Sequence, residues 1–210
     1  MWYGTHRIVS ALLAASMSTS GTARTIDQHA ALRHLSLRVS AQGDVPAVIL
    51  QRAQREVVWI FEAAGVRVAW IDCGLERQQP DIHTSTSAEA INVVIVSRET
   101  KALAPIPSDV LGAVVRDNDA REVGWVFFRR IERASEAYAL DAGVVLGHAI
   151  AHEVGHLLLP RGTHGRSGLM RATWRMDDMR DAGQGHLRFS PAEAAIIRAR
   201  LAVRNALNPD

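Results

Sequence analysis

Two histidines and a glutamate with the spacing of a metal site lie in the segment His152-Glu153-Val154-Gly155-His156. If this segment is helical, histidines four residues apart project from one face of the helix, so both imidazoles can reach one ion. Glu153 then lies about 100° round the helix from His152, where its carboxylate can flank the ion without binding it. These residue types predict one catalytic Zn²⁺, with Glu153 as the general base toward a zinc-activated water.

The alternative interpretation is a helix whose two histidines are solvated, or are satisfied inside the core without a metal. The neighbouring residues disfavour it, because they are mostly apolar: Val144, Val145, Leu146, Ile150, Val154, Leu157 and Leu158. Two imidazoles and a carboxylate buried among such residues would be costly without a partner, and a metal ion supplies one.

A third ligand is expected just beyond this helix. Pro160 ends the helix and Gly162 permits a sharp reversal of the chain, so that His164 can swing back under the metal. His148 is the competing histidine, but eight helical residues separate it from His156. That separation is about 12 Å along the axis, which is too far for both to bind one ion.

A carboxylate is the other type of third ligand. No glutamate occurs between His156 and Glu193, which argues against a glutamate ligand. The aspartates beyond the histidines remain as alternatives to His164: Asp177, Asp178 and Asp181.

The elements that must position these residues follow from hydrophobic periodicity and from helix-capping residues. Asp44 is predicted to cap the first helix and Gly65 to end it. Ser190 and Glu193 form a capping-box pattern at the start of the last helix. The pattern predicts a strand over 34–40, a helix over 45–64, strands over 66–71, 91–97, 111–116 and 123–128, and helices over 141–159 and 190–207. A mixed sheet with helices packed on it accommodates this order.

Beyond His164 the chain continues as Gly165-Arg-Ser-Gly-Leu-Met170. With the preceding helix, this segment resembles the metzincin superfamily of zinc peptidases, and within it the matrixin-like secreted members. Those proteins have HExxHxxGxxH followed by a tight turn that carries a Met beneath the metal. The resemblance implies that His152, His156 and His164 are the ligands, Glu153 the general base and Met170 the Met-turn residue.

The resemblance also implies the fold and the mode of substrate binding. It implies an α+β domain with a mixed, mostly parallel twisted sheet, an active-site helix and a C-terminal helix. An extended peptide or protein substrate would add as a further strand to the edge strand that contains Leu111, Gly112, Ala113 and Val114. The chain departs from the family pattern in three ways: its third histidine comes two residues later, its glycine is Gly162 while position 159 is Leu159, and no Tyr follows Met170.

Composition limits the other classes of function. The formal net charge is +2 and the arginines are scattered, so nucleic-acid binding is not expected. Cys73 is the only cysteine, which excludes a disulfide within the chain. Arg7, the apolar run over 8–17 and the small residues after it are typical of a secretory signal over 1–23, followed by one domain over 24–210. We therefore expect a secreted or extracytoplasmic protein without stable membrane insertion; the alternative is a cytoplasmic protein whose amino-terminal segment is not a signal.

The sequence thus predicts a zinc-dependent hydrolase, more specifically a metalloendopeptidase. The alternative is a non-catalytic zinc-binding or interaction protein that retains a metzincin-like fold. Glu153 disfavours this alternative, because a purely structural zinc site does not need it.

Overall fold

Five strands and five helices follow one another in the residues that the computed structural model describes, which are 33–72, 90–97, 106–116 and 122–207. The predicted signal over 1–23 lies outside them. The chain is α+β, as predicted. In chain order the elements are β1 (Arg33–Gln42), α1 (Ala47–Ala63), β2 (Val66–Asp72), β3 (Ile91–Val96), β4 (Gly112–Arg116), β5 (Glu122–Phe127), α2 (Phe128–Tyr138), α3 (Ala142–Leu158), α4 (Met176–Gly183) and α5 (Pro191–Leu207).

The strands form one mixed sheet in the order β2-β1-β3-β5-β4. The first three pairings along this order are parallel, and only β4 runs antiparallel to its neighbour β5. The prediction of a mostly parallel mixed sheet is therefore confirmed. Because β4 is the last strand in this order, the segment predicted to be an edge strand does lie at an edge of the sheet among the described residues.

The two faces of the sheet pack against different partners. On one face Leu35, Leu37 and Val39 of β1 alternate into the main core, which they share with buried residues of α1, α3, α4 and α5. On the other face Val94 and Phe127 belong to a smaller cluster, which the segment before β4 helps to cover. The alternation in β1 is the two-residue period that predicts this strand.

Helices α1 and α3 approach each other closely because α3 carries glycines on the facing surface. A Cβ placed on Gly143 would lie 2.9 Å from the carbonyl oxygen of Ile49, and one on Gly147 would lie 2.8 Å from that of Ala53. These distances are shorter than a normal van der Waals contact. Gly143 and Gly147 therefore determine how closely α3 packs against α1. Helix α3 carries two of the candidate metal ligands.

We expect Gly147→Ala to destabilise the protein by about 1 to 3 kcal/mol, because the new methyl group must push two helix backbones apart. Gly183→Ala in α4 is the matched control, since its Cβ would meet only the end of the Leu140 side chain. Thermal or denaturant unfolding measures both variants. Equal stability of Gly147→Ala and the wild type would contradict the close packing of α1 on α3.

Two predicted helix ends are confirmed and one is wrong. Gly65 follows α1 with a φ of 76°, as a helix stop requires. At α5 the Ser190 N–H donates to Glu193 Oε2 (2.7 Å) and the Glu193 N–H donates to Ser190 Oγ (3.3 Å), which is the predicted capping box. Asp44 does not cap α1: it is exposed, and the helix begins after Pro46 with no side-chain cap.

Helices α2 and α4 are not predicted from the sequence. Apolar residues recur at helical spacing in α2 (Phe128, Ile131 and Tyr138), but the predicted strand extends over the first of them. Arg130 of α2 is buried and donates to the carbonyl oxygens of Ile106, Pro107 and Val110. Through these bonds α2 holds the segment that leads into β4, beside the candidate site.

None of the helices in the described ranges has the length and apolar character needed to cross a membrane.

Candidate metal centre

Helix α3 carries three of the predicted site residues at fixed relative positions. The helix begins at Asp141, whose Oδ1 accepts the N–H groups of Gly143 (2.8 Å) and Val144 (3.1 Å). It ends at Leu158, and Pro160 follows after one extended residue. The predicted helix over 141–159 is therefore present, and His152, Glu153 and His156 lie in its second half.

The structure brings His152, His156 and His164 together. One ring nitrogen of each lies within 4.8 Å of those of the other two, and the Nε2 atoms of His152 and His156 are 3.0 Å apart. Gly162, with a φ of 72°, makes the reversal that returns His164 to the helix. Two ligands of a tetrahedral zinc ion with Zn–N bonds of 2.0–2.1 Å are about 3.3 Å apart. The 3.0 Å between His152 and His156 is close to this value, and His164 lies near enough to complete a group that could hold a metal ion.

The hydrogen bonds of His152 fix which of its nitrogens can bind a metal. Its Nδ1 lies 2.7 Å from the carbonyl oxygen of Leu169. A carbonyl oxygen only accepts, so Nδ1 carries the proton, and Nε2 of the neutral ring carries the lone pair that faces His156 Nε2. Trp174 Nε1 donates to the same oxygen (3.1 Å) and helps to hold it in place. Such a backbone partner is typical of metal-binding histidines, so the donor set fits a metal ion.

The competing ligands do not join this cluster. His148 is fully buried and its Nδ1 donates to the carbonyl oxygen of Val144 (2.8 Å). Asp178 accepts from the backbone N–H of Arg175 (2.7 Å) and from the Arg171 guanidinium (2.9 Å). Asp177 pairs with Arg180, and neither it nor Asp181 belongs to a group that could hold a metal in the described part of the chain. His164 is the third member that the geometry favours.

Met170 lies directly beneath α3. It is fully buried, and a Cβ placed on Gly155 would lie 2.5 Å from its Sδ atom. The turn that delivers Met170 is closed by a hydrogen bond from the Gly165 N–H to the Met170 carbonyl oxygen (2.8 Å). Gly168 within it has a φ of 80°. The turn thus packs the Met170 thioether against α3 at Gly155, which lies between His152 and His156 in the sequence. Leu169, the residue before Met170, supplies the carbonyl oxygen that orients His152.

The carboxyl group of Glu153 is buried and polar contacts do not satisfy it. Its Oε2 has no hydrogen-bond partner, and the residue is 4% exposed. This burial raises its pKa to about 8. The side chain lies against the glycines of two adjacent strands, Gly112 of β4 and Gly124 of β5. A bound cation would lower the pKa again, because it favours the charged form.

The two imidazoles on α3, in contrast, are held neutral. Burial lowers the pKa of His152, and the carbonyl of Leu169 opposes this effect in part. Burial, together with the neighbouring rings of His152 and His164, lowers the pKa of His156 to about 4. At neutral pH the two helix imidazoles are therefore unprotonated, which is the form that binds a metal.

The raised pKa of Glu153 predicts an unusual dependence of stability on pH in the metal-free protein. Between pH 4.5 and about 8 the unfolded chain loses the proton of this carboxyl and the folded chain keeps it, so stability falls as pH rises. Glu153→Gln removes this titration. We expect its free energy of unfolding, relative to the wild type, to grow by on the order of 3 kcal/mol between pH 4.5 and 8.

Denaturant unfolding in the presence of a chelator, at several pH values, measures this difference. Glu62→Gln, at an exposed position of α1, is the control and should follow the wild type. A gap between Glu153→Gln and the wild type that does not change with pH would contradict the burial of this carboxyl.

A cavity of about 260 Å³ opens beside the histidines, and His152 and Glu153 form part of its wall. Gly112 at the edge of the sheet and Trp174 after the Met170 turn line it as well, together with Tyr138 of α2. Tyr138 is missed, because α2 is not predicted.

Two further basic side chains that follow His164 in the sequence lie apart from this cavity. Arg166 and His186 are both exposed, and neither is among the residues that line it.

The centre therefore consists of three converging imidazoles, one buried carboxyl group whose Oε2 has no hydrogen-bond partner, and a cavity lined by His152 and Glu153. Comparison of the chain with protein-family models, with curated proteins and with solved structures found no match in any of the three.

Proposed function

We propose that this protein is a zinc-dependent hydrolase that acts as an endopeptidase. One observation carries the proposal: His152, His156 and His164 converge on one point, and beside them lies Glu153, whose buried Oε2 has no partner and whose side chain lines the same cavity. A structural zinc site is closed by four protein ligands, whereas a catalytic site has three and keeps one position open. Three imidazoles with a flanking carboxyl group have the composition of the catalytic kind.

The three histidines would hold the zinc ion, with His152 bound through Nε2 because its Nδ1 donates to the Leu169 carbonyl. When bound, zinc supplies Lewis acidity toward a carbonyl group and lowers the pKa of a water ligand to about 7. Imidazole also suits copper, nickel and iron. We propose zinc because a carboxylate flanks the three histidines. This combination suits hydrolysis, a reaction in which the metal does not change its oxidation state.

Glu153 is the residue that would move the proton. As a carboxylate it would accept a proton from the attacking water at its unpartnered oxygen, and it would later donate that proton to the leaving amine. The low polarity around Glu153 favours its neutral, protonated form after the first transfer. This raises its basicity toward the range in which a general base works best at neutral pH.

The substrate would be an extended peptide laid along β4. In the described part of the chain this strand has a neighbour on one side only, so its outer edge can take a further strand. Gly112 at the start of β4 lies against Glu153, which places that edge beside the catalytic carboxyl. The neighbouring cavity would then receive a substrate side chain, and its wall is mainly apolar, with Leu111, Trp174 and Met179.

The resemblance to metzincins is part of this proposal. It is supported by the mostly parallel sheet with an antiparallel edge strand, by the helix that carries the two histidines, and by Met170 beneath that helix. The secretory signal over 1–23 also belongs to the proposal. Sequencing the amino terminus of exported protein tests it separately.

Digestion of an unfolded protein by the purified chain tests the activity. We expect new amino termini, detected by mass spectrometry, when zinc is present, none after chelation, and their return when zinc is added back. One bound zinc without any cleavage would instead favour a non-catalytic zinc-binding protein. Cleavage that survives chelation would contradict the proposed role of the metal.

A further inference from the structure

We infer that Gly112 and Gly124 form a notch in the face of the sheet that positions the Glu153 carboxyl group. We call this pair the glycine notch. The two residues act on the reaction through Glu153, as positioning residues. The inference rests on the proposed function for its kinetic consequence, although the placement itself can be tested without activity.

The closest contact is with Gly112, the first residue of β4. A Cβ placed on it would lie 2.6 Å from Glu153 Oε1 and 2.8 Å from Glu153 Cγ, and also 2.8 Å from the Trp125 carbonyl oxygen. These distances leave no room for a methyl group. The space that a side chain would occupy at this position is therefore the space that the carboxyl group fills.

Gly124 of β5 supplies the second wall of the notch. A Cβ placed there would lie 3.2 Å from Glu153 Cβ and 3.4 Å from Val93 Cγ2. Gly112 pairs with Val126 and Gly124 pairs with Val114, so the two glycines lie two residues apart on neighbouring strands. Between them they make room for the stem of the Glu153 side chain and for its end.

Space, and not backbone conformation, is what these glycines provide. Neither is among the glycines with a positive φ. A glycine inside a strand weakens the strand, and one use of such a position is the close approach of another group. Here the approaching group is a carboxyl group on a helix packed over the sheet.

The notch fixes Glu153 by shape alone. Oε1 abuts Gly112, and Oε2 is left without a hydrogen-bond partner next to the cavity. Contact with the two glycines restricts where the carboxyl group can point.

A double-mutant cycle on the metal-free full-length chain tests the placement. We expect Gly112→Ala to lower the melting temperature in the wild-type background, and to lower it by less in the Glu153→Ala background, where two of the three crowding atoms, Glu153 Oε1 and Cγ, are gone and the Trp125 carbonyl oxygen remains. Gly147→Ala is the matched control. Its Cβ would also lie 2.8 Å from a carbonyl oxygen, but away from Glu153, so its effect should be the same in both backgrounds.

Kinetics of the zinc-loaded variants test the consequence. With Gly112→Ala we expect kcat to fall on the order of 100-fold with one zinc still bound, because a displacement of about 1 Å at the reacting group has that effect. The KM should change much less than kcat. Gly124→Ala, which is less crowded, should show a smaller loss of the same kind, and it replaces Gly112→Ala if that variant does not fold.

An equal loss of melting temperature in both backgrounds, or an unchanged kcat in a folded Gly112→Ala enzyme, would overturn the inference. If the wild type hydrolyses nothing, the proposed function fails, and the thermal cycle alone decides whether the notch positions Glu153.

Discussion

Glu153→Gln should keep one bound zinc and lose turnover by about 100- to 10,000-fold, which is the contribution typical of a positioned general acid or base. The substituted amide has nearly the same shape and should occupy the same place beside Gly112 and Gly124. It cannot accept the proton of the attacking water. The three imidazoles are unchanged, so the affinity for zinc should be nearly unchanged as well.

Metal content by mass spectrometry and kcat on a cleaved peptide measure these two properties separately. Glu62→Gln is the matched control, because it makes the same substitution at an exposed position of α1 that does not line the cavity. Its kcat should stay close to that of the wild type. Undiminished turnover by Glu153→Gln would defeat the proposed mechanism, whereas loss of zinc from this variant would mean that Glu153 holds the metal.

His156→Ala should lose both zinc and activity. His156 Nε2 lies 3.0 Å from His152 Nε2 and the His156 ring lies 4.8 Å from that of His164, so its removal opens the centre of the cluster. We expect the zinc dissociation constant to rise by more than about 100-fold, since even the loss of an outer partner of a ligand can reach that value.

Competition with a chromophoric chelator measures the affinity, with His186→Ala as the control at an exposed loop position. His164→Asn should also release zinc. Asp177→Asn combined with Asp181→Asn should retain it. Asp178 is left intact in this comparison because it holds Arg171 and the first residues of α4. Retention of tight zinc binding by His156→Ala would contradict the proposed ligand set.

The sequence predicts most of the elements because their signals are local. The strands of the parallel sheet are short apolar runs, and α3 and α5 carry capping residues that act within one turn. Helix α2 is missed because strand β5 runs into it at Phe128 without a turn residue between them. The predicted cap at Asp44 is wrong because α1 begins directly after Pro46. Pro46 is the N-cap residue, and its side chain has no hydrogen-bond acceptor.

The proposed ligands can be predicted because a helix fixes the spacing of His152 and His156, and because Pro160 and Gly162 mark the reversal before His164. The rest of the site depends on contacts between distant segments. No local pattern indicates that the Leu169 carbonyl accepts from both His152 and Trp174. No local pattern indicates that Gly112 lies against Glu153 either. This contact depends on how α3 packs on strands β4 and β5.

The most direct test of the central claim is digestion of a mixed peptide library by the zinc-loaded chain, with Glu153→Gln run beside it. We predict that the wild type cuts internal peptide bonds with a shared sequence preference and that the variant makes none of these cuts. If both proteins hold one zinc and neither cuts any peptide, the peptidase claim is contradicted. The centre would then belong to a hydrolase of non-peptide substrates or to a protein that only binds the metal.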